Sequence, residues 1–154
     1  MSNPIVTNRA MHFEDFAVGQ TLQSRSRTIT ETDIVNFAGL SGDFNSIHTD
    51  AAYAATTPFQ QRIAHGLLGA SIASGLAVQT GIMDGTIMAF REISEWRFRL
   101  PIVIGDTITV HMEITETKAM PRLGGGAVTI EMRVMNQKSE CVQQGKWVVL
   151  MKGR

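Results

Sequence analysis

Cysteine is almost missing from this sequence: Cys141 stands alone. A single thiol excludes an internal disulfide, and the expected compartment is the reducing interior of a cell. Cys141 sits beside Glu140 in a strand-like stretch with no cation to activate it, so it reads as an inert residue. An excess of either charge is missing too, because 14 basic and 14 acidic residues leave a formal net charge of zero. That removes the electrostatic case for a nucleic-acid or membrane partner, and an anionic ligand must meet a local basic patch. No apolar run is long enough to cross a membrane, and the first ten residues, polar with one Arg, do not read as a signal peptide. The expected location is the cytoplasm.

What is present suits one ordinary domain: 154 residues, 44% hydrophobic and 18% charged, enough chain to bury a real core. Residues 1–12 read as an N-terminal arm and residues 13–154 as the domain. Thr21 to Ile29 reads as a strand. Thr30 is a good N-cap with Asp33 at the third helical position, which predicts a helix through Ile34, Val35, Phe37 and Ala38, ended by Gly39, Ser41 and Gly42. An irregular polar loop over Asp43 to Asp50 and a short Ala-rich helix to about Thr56 follow.

The longest apolar segment, His65 to Met83, reads as a buried helix rich in Gly and Ala. Glycines inside a helix cost about 1 kcal/mol each relative to Ala, and close wrapping by a sheet is a natural compensation. The rest of the chain alternates. Trp96, Phe98 and Leu100 oppose Glu95, Arg97 and Arg99. Ile108, Val110, Met112 and Ile114 form one face, Val128, Ile130, Met132 and Val134 another, and a last strand contains Trp147. Strand, helices, then four consecutive strands with hairpin-type spacing give an α+β class: an antiparallel sheet wrapped around a long central helix.

Two stretches carry chemistry. The first, Gly42-Asp43-Phe44-Asn45-Ser46-Ile47-His48-Thr49-Asp50, gathers Asp43, Asn45, His48 and Asp50 on a Gly-flanked loop. A carboxylate and an imidazole aimed at one water would orient it and move its proton, which is general acid–base catalysis. The same residue types also cap helices and satisfy loop backbone, so spacing alone leaves both readings open. The loop matches no strong metal-ligand spacing, and no metal is expected. The second stretch, Ala64-His65-Gly66, opens the long helix. Its first-turn amides lack helical partners, and Gly66 would offer one to a ligand without a side chain in the way. Such an amide polarises a thioester carbonyl. The alternative is that Gly66 only permits close packing and that His65 is a buried, satisfied histidine.

Taken together, these motifs resemble the MaoC-like (R)-specific enoyl-CoA hydratases, single hot-dog domains. The likeness rests on Gly42 to His48 with Asp50, on Ala64-His65-Gly66, on Ser71 and Ser74-Gly75, and on Phe98-Arg99-Leu100-Pro101-Ile102 to Gly105-Asp106. It runs from about Phe13 to the C-terminus. It implies reversible addition of water to a trans-2-enoyl-CoA to give an (R)-3-hydroxyacyl-CoA. Asp43 and His48 would hold the water and the Gly66 amide would bind the carbonyl, with Asn45, Ser74 and His65 shaping the site. The implied partner is an acyl-CoA substrate, with coenzyme A as part of the substrate and no separate cofactor. A homodimer or higher homo-oligomer is implied, its active site near the subunit interface. Ser46 departs from the family's usual Pro, which leaves this loop less stiff. Arg62, Arg97, Arg99, Lys118 and Arg122 are candidates for the CoA phosphates, and Gly69, Ala73 and Ala77 for the room an acyl group needs. Two rival readings are a hot-dog thioesterase, which would hydrolyse the thioester, and a non-catalytic acyl-CoA-binding protein on the same fold.

Overall fold

The alternation expected in the later strands is what builds the molecule. In a computed structural model that describes residues 3–5 and 9–154, strands β5 (Thr107–Met120), β6 (Gly125–Met135) and β7 (Cys141–Lys152) form an antiparallel meander. Ile108, Val110, Met112 and Ile114 of β5 and Val128, Ile130, Met132 and Val134 of β6 are all buried, while Thr107, Thr109, His111 and Glu113 take the other phase of β5. A two-residue period with one apolar phase leaves only one register that buries that phase.

The rest of the sheet is placed by longer connections. Strands β1 (Asn3–Pro4), β2 (Gln20–Gln23), β3 (Arg27–Thr28) and β4 (Ile87–Phe98) complete it. The order is β1-β2-β5-β6-β7-β4, with β3 also paired to β5 and the β1–β2 pair parallel. Two expectations are corrected here. The stretch Thr21 to Ile29 is two short strands, not one. Between them Ser24 turns its buried hydroxyl inward, where it accepts from the Val110 amide at 2.9 Å. The last four strands are not a simple succession of hairpins either, because β4 crosses to the far side and pairs with β7.

Helix α1 (Glu31–Ser41) forms as expected. Thr30 accepts from the Asp33 amide, Asp33 accepts from the Thr30 amide, and Gly42 ends the helix in the left-handed region at φ 77°. Gly39 lies inside it. The loop from Asp43 to Asp50 is more ordered than expected, because it contains a one-turn helix α2 (Ser46–Thr49) before α3 (Ala51–Ala55).

Helix α4 (Gly66–Val78) crosses the sheet and stops five residues short of the Met83 expected from hydrophobicity. Past Val78 the chain turns, with Gly81 at φ 82°, and Ile82 and Met83 enter the core from that turn. Leu68, Ile72 and Leu76 are buried against the sheet, each contributing about 2 kcal/mol. That offsets roughly 2 kcal/mol for Gly69 and Gly75 in the helix interior. Of the expected arm, Met1, Ser2 and residues 6–8 lie outside the described residues. The amides of Ala10 and Met11 donate to Gly81 and Ile82, and Met11 is buried in the core. Among the described residues no helix is long and apolar enough to cross a membrane.

Candidate active site

One cavity of about 460 Å³ lies where α1, the α2 loop, the start of α4 and the end of β4 meet. Its walls include Asp43, His48, His65, Gly66, Phe98 and Gln143. Most of the lining is apolar, so a few polar groups decide what is held there.

Capping explains why the α2 loop presents Asp43 and His48. Asn45 accepts from the Ile47 amide and so starts α2, while Asp43 Oδ1 accepts from the Asn45 amide at 3.1 Å. One turn later His48 Nδ1 donates to the Ile63 carbonyl at 2.8 Å. A proton fixed on Nδ1 leaves Nε2 of the neutral ring as the acceptor. His65, only 2% exposed, donates from Nε2 to the Asp43 carbonyl at 2.9 Å. Its ring stacks on His48 at 3.9 Å between centroids, and the Phe37 ring tilts against the same His65 ring at 5.0 Å. His65 is therefore tied to both halves of the loop motif.

A carboxylate oxygen of Asp43 and ring nitrogens of His48 and His65 lie within 4.8 Å of one another. Two hydrogen bonds of about 2.8 Å meeting at a tetrahedral water span roughly 4.6 Å, so the gap is the size that a single water would bridge. A cation fits less well. The two imidazoles are stacked 28° from parallel, so their in-plane lone pairs run side by side instead of converging. Each ring also gives one nitrogen to a backbone carbonyl, and the positive end of α4 lies beside them.

Gly66 is the first residue of α4, so its amide has no partner within the helix. A Cβ there would lie 2.7 Å from the Phe98 ring, which leaves glycine as the residue that fits without displacing the ring. The expected site residues divide. Asp43, His48, His65 and Gly66 line the cavity, whereas Asn45 and Ser74 do not. Asn45 is used as the α2 cap. Ser74 lies about 12 Å further along the helix and donates its hydroxyl to the Ser71 carbonyl.

The room expected beside Gly69, Ala73 and Ala77 is absent. Ala73 and Ala77 are buried against the sheet, and a Cβ on Gly69 would lie 2.4 Å from Gln143 Nε2 and 2.8 Å from Ile102 Cδ1. Gly69, Ala73 and Ala77 admit close packing of the core, not a ligand. Of the candidate cations, Arg99 lines the cavity and donates to Gln144 Oε1. Arg62 is paired with Glu31, and Arg97, Lys118 and Arg122 do not reach the cavity wall. Cys141 lies outside the cavity lining. Burial pushes its thiol above the ordinary range, against the pull of Arg99 and Arg133, which agrees with an inert residue.

Sequence reasoning missed Gln143, whose Nε2 donates to the Gly66 carbonyl at 3.0 Å. The signal was available: once Trp147 is set inward on β7, Gly145 and Gln143 share its phase.

The family model described as "MaoC like domain" matches residues 14–136. The chain belongs to that family. Within it, the chain is 34% identical over 139 residues to an (R)-specific enoyl-CoA hydratase of Aeromonas caviae, covering 90% of this chain and 98% of the relative. A solved (R)-hydratase of Pseudomonas aeruginosa matches with a TM-score of 0.79 at 33% identity, covering 94% of this chain and 88% of that one. A solved protein of Archaeoglobus fulgidus, described as a monoamine oxidase regulatory protein, matches with a TM-score of 0.89 at 35% identity, over 97% and 99%. The MaoC-like chain thus shares the single hot-dog domain, an antiparallel sheet around a central helix, along nearly its whole length.

Proposed function

We propose that this protein adds water reversibly to a trans-2-enoyl-CoA to give an (R)-3-hydroxyacyl-CoA. The observation that carries the reading is the Asp43 carboxylate and the His48 ring within 4.8 Å of each other, in one cavity with the free Gly66 amide. The hydratase relatives support the reaction class and the R product.

The substrate carbonyl accepts from the Gly66 amide at the positive end of α4. Asp43 and His48 each take one hydrogen bond from a water beside the β-carbon. The water oxygen bonds to the β-carbon while one of its protons passes to the pair, with His48 Nε2 as the basic nitrogen. The π electrons of the double bond move toward the carbonyl, giving an enolate held by the amide. The proton on the pair then goes to the α-carbon. One H and one OH are added, and the same groups serve in reverse as a dehydratase. Coenzyme A arrives with the substrate and needs no further cofactor, and Arg99 at the cavity wall is the cation best placed for its phosphates.

We further propose that the working unit is a homodimer built on β4. This strand is an edge, and Phe90, Ile93 and Phe98 on it are 46%, 52% and 55% exposed. A long edge with apolar side chains is the kind of surface that a second chain covers.

The test is the absorbance of the conjugated thioester with crotonyl-CoA. The expected result is loss of the enoyl band with no thiol release, slowed roughly 100-fold or more in Asp43→Asn. Thiol release at the rate of band loss would identify a thioesterase. Undiminished turnover in Asp43→Asn would remove Asp43 from the reaction.

A further inference from the structure

We infer that Gln143 is a positioning residue for thioester hydration, holding the Gly66 peptide so that its amide points at the substrate carbonyl. The inference rests on the hydratase reading above and adds a residue to it.

Gln143 is 2% exposed and shares the inward phase of β7 with Gly145, Trp147, Val149 and Met151. A carboxamide among such neighbours needs a reason. Its Nε2 donates to the Gly66 carbonyl at 3.0 Å. A carbonyl can only accept, so the amino end is fixed there and Oε1 faces away. Oε1 is buried without a partner. An unpaired buried acceptor costs stability that an aliphatic side chain of the same length would not. The Gly66 carbonyl does not need this donor for its own sake, because its position at the start of α4 gives it a place in the helical ladder. The stability given up at Gln143 therefore goes into one contact, on the residue whose amide serves the substrate.

The surroundings are built for that contact. Gly69 leaves the carboxamide its seat, since a Cβ there would fall 2.4 Å from Nε2. Phe98 is the direct cross-strand partner of Gln143 on β4, and its ring occupies the space where a Gly66 Cβ would be, at 2.7 Å. One rung of the sheet thus grips Gly66 twice, by a ring against its Cα and a carboxamide on its oxygen. Glycine has no side chain to limit its own torsions, so a grip from outside sets where its N–H points. Hydrogen bonds weaken steeply as the donor angle departs from linear. That weakening matters most when negative charge has developed on the carbonyl oxygen.

The experiment compares the full-length protein with Gln143→Leu and Gln143→Met by three readouts. These are melting temperature, steady-state hydration of crotonyl-CoA, and the infrared C=O band of bound butyryl-CoA, a saturated thioester that does not react. In the variants the melting temperature should stay level or rise. The kcat should fall on the order of tenfold with KM within about twofold. The thioester band, displaced to lower frequency in the parent by the Gly66 amide, should move back toward its position in water.

Parental kcat and an unmoved band in either variant would overturn the inference. So would a fall in kcat that only tracks a smaller folded fraction, or the failure of both variants to fold, since each makes Gln143 a structural residue. If the parent itself shows neither turnover nor a displaced band, the hydratase reading fails instead.

Discussion

At the scale of single residues, the site is made of ordinary groups whose backbone bonds decide their use. Asp43 is exposed and has one carboxylate oxygen committed to the Asn45 amide, so replacing it disturbs little of the fold. Gly66 is the opposite case. In Gly66→Ala the new methyl would stand 2.7 Å from the Phe98 ring, and overpacking of this kind costs about 1–3 kcal/mol. The expected outcome is a lower midpoint in chemical denaturation together with slower hydration, because the ring pushed aside also lines the cavity. A Gly66→Ala protein with parental stability and rate would show that Phe98 yields freely. The motif residues Asp43, His48 and Gly66 were legible through the resemblance of their two motifs to the MaoC-like hydratases, since spacing alone left helix capping and catalysis both open. The tie from His65 to the Asp43 carbonyl was not, because it spans 22 positions and depends on a ring turned inward.

At the scale of elements, α1 and the β5–β6–β7 meander were readable because each has its own local code: a capping box in one, strict alternation in the others. The end of α4 was not readable, because the apolar run continues past Val78 into a turn that also enters the core. Strand β4 was only half seen. Its bulges shift the pairing between Ser94 and Arg97, with Glu95 at φ 54°, and a bulge breaks the two-residue period that betrays a strand.

The meander carries its own pH dependence. His111 on β5 is half-buried opposite Arg133, with Glu113 and Glu131 the carboxylates that approach Arg133. Desolvation first, and then the Arg133 charge, hold His111 below the ordinary imidazole value of 6.5. The folded state therefore resists a proton that the unfolded chain takes up as pH falls through 6.5. Stability from this residue is complete above that value and is lost as pH drops toward the lower folded one. Urea melts between pH 7.5 and 5 should show falling stability, with a flatter course in His111→Gln. Equal slopes in the two proteins would remove His111 as the source.

At the scale of the whole molecule, the described residues leave one long sheet edge open, β4. If β4 is covered by a second chain, the protein should run at twice its 16.9 kDa chain mass in light scattering. Ile93→Lys should then shift it toward the single-chain mass, because a charge in an apolar interface is costly to desolvate. A parent that runs at the single-chain mass would rule out this assembly. The cavity lies beside Phe98, at the end of the same strand, so dimer loss and activity loss are expected together.

The sequence by itself determined the local codes: which segments alternate, where α1 is capped, and which two short motifs carry a carboxylate with an imidazole and a glycine before an apolar run. These depend on neighbours within a few residues, and such neighbours are fixed by the order of the chain. Only the tertiary structure decided that β4 lies beside β7, that Gly69, Ala73 and Ala77 admit close packing of the core instead of a ligand, and that Gln143 reaches Gly66. Each of those pairings joins segments far apart in the chain, and no local pattern specifies which distant side chain will fill a given space.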